Sequence, residues 1–88
     1  MGGYIAVVDG GPGSYGSWFP DLPGCTAMGQ TIETLAVNAR EAMRDWASVL
    51  TEQGGVLPRP SSPEGLRQNV DVVEALQAGA HLTEIAMV

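Results

Sequence analysis

One stretch constrains the fold more than any other: residues 31–53, which read as a single long helix. Wound at ~100° per residue, Ile32, Leu35, Ala36, Ala39, Ala42, Met43, Trp46, Ala47, Val49 and Leu50 fall in one arc. Glu33, Thr34, Asn38, Arg40, Glu41, Arg44, Asp45, Ser48 and Glu52 fall in the other, with Val37 the one apolar intruder. A helix with a single apolar side lies on a core, not inside one and not across a bilayer. Thr31 stands where an N-cap is needed, and Glu33 puts a negative charge in the first turn, where the helix dipole favours it. Gly54 and Gly55 supply a left-handed stop. At ~1.5 Å per residue the helix runs roughly 33 Å. The rest of the chain must provide an apolar surface beneath it.

The residues before the helix supply that surface as strands. Tyr4 to Asp9 is short, apolar and β-branched, the signature of a strand. Gly10-Gly11-Pro12-Gly13 turns the chain, and Ser14 to Phe19 returns antiparallel because the link is so short. Pro20-Asp21-Leu22-Pro23-Gly24 is a rigid corner, since each proline fixes its own φ and biases its predecessor toward extended backbone. Cys25 to Gly29 makes a third strand. After the helix, Gly54 to Ser62 is a loop. Ser62-Pro63-Glu64 reads as an N-cap with proline at the first helical position, opening a brief turn to about Arg67. Asp71-x-x-Glu74 has capping-box spacing and predicts a second short helix over Asp71 to Ala78, stopped by Gly79. Ala80 to Val88 is β-prone and predicts a fourth strand, which a helical crossover would let lie parallel to the first. The expectation is an α+β domain: a three-stranded antiparallel meander, a long helix on one sheet face, a short helix and a fourth strand, with open edges at the third and fourth strands.

Composition narrows the function. Eighty-eight residues make one domain with a thin core that gains from oligomerisation, so a homodimer or homotetramer is expected. The net charge is −6, with four arginines (Arg40, Arg44, Arg59, Arg67) and no lysine. Phosphate backbones need clustered cations, so no direct nucleic-acid binding and no anionic membrane surface is expected. An acidic chain suits a basic partner. Cys25 and His81 are each alone of their kind, which leaves no disulfide and no Cys/His metal cluster to expect. No apolar run approaches the ~18 residues of a membrane span, and no signal peptide is recognisable. A cytoplasmic location is the expectation.

At Phe19-Pro20-Asp21-Leu22-Pro23-Gly24-Cys25, then Gly29-Gln30-Thr31, then Asn38-Ala39-Arg40-Glu41-Ala42, the sequence resembles the HicB family, the antitoxins of HicA–HicB type II toxin–antitoxin modules. Tyr4 and Pro58-x-Pro60-Ser61 fit the two ends of the family pattern. The resemblance covers residues 3–62 well and the rest loosely. It implies a partial RNase H-like fold with the fourth strand beside the first. It also implies a protein inhibitor that binds a HicA-like toxin and blocks its mRNA cleavage, with no catalysis and no cofactor of its own. Many relatives carry a C-terminal helix-turn-helix or ribbon-helix-helix domain that binds the operator. This sequence stops at Val88, so a single domain over 1–88 without such a domain is expected.

Other constellations in the sequence suggest chemistry of their own. Gly11-x-Gly13-x-x-Gly16 spells a dinucleotide fingerprint, but it opens a strand where that motif must open a helix; a hairpin turn is the better reading. A two-metal nuclease, the alternative an RNase H-like fold invites, needs carboxylates converging on ions about 3.5–4 Å apart. Asp9, Asp21, Glu41 and Asp45 do not assemble into one, so no metal site is expected. Asp21 between two prolines reads first as an anchor bonding nearby backbone N–H groups. Trp18 and Phe19 point to opposite faces of a strand: one ring belongs to the core, and the other lies under the second helix or anchors a partner. Cys25 reads as a small buried residue, with a Cys25–His81 pair the remote alternative. The candidate partner contacts are Asp9, Trp18, Asp21, Glu33, Glu41 and Asp45. An oligomeric scaffold without a toxin is the other reading the sequence leaves open.

Overall fold

The computed structural model describes residues 2–87; the expected strand end at Val88 lies outside them. The elements are β1 (Gly3–Gly11), β2 (Ser14–Trp18), β3 (Thr26–Gly29), α1 (Ile32–Glu52), α2 (Pro63–Leu66), α3 (Val70–Gln77) and β4 (His81–Ala86). They form one four-stranded sheet in the order β3-β2-β1-β4, with the fourth strand beside the first and edges at β3 and β4, as expected.

Every pairing is antiparallel. The expectation of a β4 parallel to β1 is therefore corrected, and the path of the chain gives the reason. β3 runs the same way as β1, and α1 carries the chain back down the sheet. A β4 starting there would be parallel. Instead α2 and α3 traverse the sheet a second time, and β4 begins beside the far end of β1, with His81 opposite Val8.

That second traverse also gives the sheet two covered faces. Tyr4, Ala6 and Val8 of β1 point to α1 and pack with Phe19, Leu22, Cys25, Leu35, Ala39, Met43 and Ile85. Val7 points the other way and packs with Leu66 of α2 and Val72 of α3, backed by Ile5, Trp18 and Leu82. Alternation along a strand makes this possible. The expectation of a helix on one face is thus half of the arrangement.

The caps follow from local chemistry. The Thr31 hydroxyl accepts from the Thr34 N–H at 3.0 Å, satisfying one orphan donor of α1. At its other end Gly54 takes φ +82°, donating to the Thr51 carbonyl at 3.0 Å while Gly55 donates to Leu50 at 2.9 Å, a Schellman stop. The Ser62 hydroxyl caps α2 by accepting from Gly65 N–H at 3.1 Å. For α3 the expected cap is off by two residues: Asn69, not Asp71, accepts from the N–H groups of Asp71 and Val72. Both residues suit the role, and the turn closing α2 leaves Asn69 extended at the right place.

The helix is longer than its support. Twenty-one residues of α1 span roughly 31 Å, whereas the five of β2 span roughly 17 Å. Leu35, Ala39 and Met43 are buried, but Ile32 and Val49, at the two ends of the apolar arc, are 42% and 52% exposed.

Candidate functional site

The corner between β2 and β3 is built from its own backbone first. Leu22 N–H donates to the Phe19 carbonyl at 3.1 Å, Cys25 N–H to Leu22 at 3.0 Å, and Phe19 N–H to Cys25 at 3.2 Å. Phe19, Leu22 and Cys25 turn inward and are buried, so the corner has an apolar floor. Pro20 and Pro23 stiffen what is left. The indole N–H of Trp46 donates to the Pro23 carbonyl at 2.9 Å, fastening α1 to the corner.

Asp21 reaches much further than a local turn residue. One carboxylate oxygen accepts from the Ser61 N–H and the other from the Ser61 hydroxyl, both at 2.7 Å. Local turn chemistry leads one to expect nearby donors; the donors lie forty residues on. Beside it the Tyr4 hydroxyl donates to the Pro58 carbonyl. Burial, and then the Asp21 charge, push the Tyr4 phenol above its ordinary pKa. Tyr4, Asp21, Pro58 and Ser61 therefore strap the loop that carries the chain from one sheet face to the other. Asn38 performs a similar task at β3, donating to the Met28 carbonyl at 2.7 Å. Gly29 shows why: a Cβ there would sit 2.5 Å from the Leu35 backbone nitrogen, so α1 rests directly on the strand and only glycine fits.

The six candidate partner contacts do not converge. Asp9 and Trp18 lie on the α3 side of the sheet, Trp18 half-buried against the smaller core. Asp21 is half-buried on Ser61. Glu33, Glu41 and Asp45 are exposed on α1. Asp45 joins a concave feature. The underside of the helix overhang forms an open groove of about 500 Å³ lined by Ala42, Asp45, Trp46, Val49, Leu50 and Gln53. Sequence reasoning missed this groove because periodicity shows which arc is apolar and not how far the sheet extends beneath it.

No group of three His, Cys, Asp or Glu among the described residues gathers where a metal ion would sit. Cys25 is buried beside β3, its thiol pushed above the ordinary range by burial and then by Asp45. His81 is on β4, at the far edge, about 14 Å away across three strand spacings. The two make no pair. Gly11 to Gly16 is a hairpin: Gly11 pairs with Ser14 across Pro12-Gly13. No helix of the described residues is long and apolar enough to cross a membrane.

Comparison with known proteins agrees with this architecture. A family model described as HicB-like antitoxin of bacterial toxin-antitoxin system matches residues 4–86. Among solved structures, the antitoxin HicB of Burkholderia pseudomallei is similar at 28% identity and a TM-score of 0.78, covering 98% of this chain and 63% of that one. The chain thus spans less than two thirds of that antitoxin's length. The crystal structure of the N-terminal domain of the same antitoxin matches at 27% identity and TM-score 0.73, covering 94% of both chains. A chain of the HicA3 and HicB3 toxin-antitoxin complex matches at 26% identity and TM-score 0.71, covering 92% of both. No curated protein matches.

Proposed function

The chain belongs to the HicB-like antitoxins of bacterial toxin–antitoxin systems, and from that premise we propose that it binds a HicA-like toxin in the cytoplasm and blocks its mRNA cleavage. It acts as a stoichiometric inhibitor with no catalysis of its own. The observation that carries this reading is the mutual 92% coverage with a chain of a toxin–antitoxin complex. The charge of −6 suits a basic, RNA-cleaving partner, because complementary potentials steer encounter and fix orientation. Of the candidate contacts, Asp45 is the best placed: it rims the groove that exposes Trp46, Val49 and Leu50. An apolar anchor beside a charge is how interfaces concentrate their energy.

The test is affinity capture of the tagged protein from its native cells at low and moderate salt, followed by mass spectrometry. The expected result is a stoichiometric small basic protein with ribonuclease activity that is silent in the complex, held less tightly as salt rises. Val49→Asp should release it while leaving the fold intact. Recovery of the protein alone, from cells shown to express a HicA-like toxin, sinks the reading.

A further inference from the structure

The face of the sheet opposite α1 is unevenly covered. There α2 and α3 close over Val7, backed by Ile5, Trp18 and Leu82. The remainder of that face, over β2 and β3, is bare: Thr26 is exposed and Met28 is 70% exposed. The register shows what stands on it. Asp9 pairs with Gly16, and Gly16 pairs with Met28, so the three form one row across β1, β2 and β3 with glycine in the middle. Trp18 is the next residue of β2 on the same face, since side chains two apart share a side. A glycine between side chains leaves a notch. Asp9 and Met28 stand on either side of it, about 10 Å apart across two strand spacings, and Trp18 closes one end about 7 Å along the strand. The Asp9 carboxylate leans over the gap, because a Cβ at Gly16 would lie 3.2 Å from its Oδ1. Trp18 is half-buried against the smaller core, which holds its indole at the border between the covered and the bare halves of the face.

We propose that the notch over Gly16 receives an arginine side chain presented by a basic protein partner. Each wall suits one part of that side chain. The planar guanidinium forks onto a carboxylate through two N–H bonds, and its flat face is attracted to an indole. The apolar stem of arginine packs on apolar surface while its head stays wet, and the exposed, adaptable Met28 offers that surface. Lysine meets the carboxylate as a point charge, with no flat group to lay on the indole. A phosphate is repelled by the carboxylate that leans over the gap, so the bearer is a protein and not a nucleic acid. The net charge of −6 draws a basic partner toward the surface. This contact lies across the sheet from the groove under α1, and the inference holds whatever occupies that groove.

The test is a nitrogen-15 NMR titration of the full chain with two blocked tripeptides, one with arginine at its centre and one with the neutral isostere citrulline. The arginine peptide is expected to shift the amides of Asp9 and Gly16 and the indole N–H of Trp18 in a saturable way, and the citrulline peptide to bind at least about tenfold more weakly. Asp9→Asn, at an exposed position, should weaken the arginine peptide about tenfold. Gly16→Ala should do the same by filling the notch; if it fails to fold, Asp9→Asn alone decides. Glu41→Gln, an exposed carboxylate on α1, should change nothing. Absence of shifts at these three groups overturns the proposal. So does equal binding of the citrulline peptide, and so does binding that Asp9→Asn leaves intact or that Glu41→Gln weakens as much.

Discussion

At Asp21 both carboxylate oxygens meet a single serine on a distant loop, and this fixes what its removal does. Asp21→Ala leaves the Ser61 N–H without its partner in a half-buried place. Bonds to a charged acceptor contribute roughly 1.5–3 kcal/mol, and partial exposure brings the expected loss to about 1–2 kcal/mol by urea denaturation, with Ser61→Ala costing less because its N–H remains. Tyr4 makes a pH prediction. Its phenol is held above the ordinary 10.0, so the folded state keeps a proton that the unfolded chain releases. Stability from this group is complete below pH 10 and declines as pH rises through the folded value. Thermal melts from pH 9 upward should show that decline, and Tyr4→Phe should flatten it. Cys25, buried and with a raised pKa, should react with a thiol reagent at the rate of unfolding and no faster. The burial of Cys25 was legible from residue type; strand alternation gave one of Trp18 and Phe19 to the core, and the structure shows that it is Phe19. The Asp21–Ser61 link was not, because a local reading of Pro-Asp-Leu-Pro sees only donors within a few residues, and the true donor arrives by tertiary packing.

Among the elements, α1 was the most legible and for a physical reason. Its two-sided composition, its threonine cap and its glycine stop all agree, and agreement between levels is what makes a segment readable. Met43 carries the centre of that contact and is fully buried; Met43→Ala should cost about 2–5 kcal/mol, enough to unfold a large share of a domain this small. Gly54→Ala, forced to hold φ +82°, should cost roughly 1 kcal/mol, read as an earlier urea midpoint with unchanged slope. The direction of β4 was illegible. It depends on whether the chain after Gly54 crosses the sheet once more, and the decisive contacts are Val72 and Leu66 against Val7. Those are ordinary apolar residues whose partner no spacing rule names. The missed groove has the same origin, since it arises from a mismatch in length between α1 and the strands beneath it.

Over the whole molecule, the residues that most resemble the family pattern turn out to hold the domain together. Tyr4, Asp21, Asn38, Pro58 and Ser61 each fasten one segment to another. Surfaces free to meet other molecules lie elsewhere, on the helix overhang and over the bare half of the sheet. The overhang stands apart from those fastenings, so the proposed toxin contact should prove separable from stability: Val49→Asp, at an exposed position, should abolish capture of the toxin without lowering the thermal melt. The pairing of β1 with β4 has a further consequence. Gly3 lies against Ala86, so β1 waits for β4, made much later, before its second side is closed. Pairings so distant in sequence make folding slow. A growing chain on the ribosome therefore holds an unfinished sheet until residues 81–86 emerge, and a protease present in the cell meets the domain at its weakest while it is still being made.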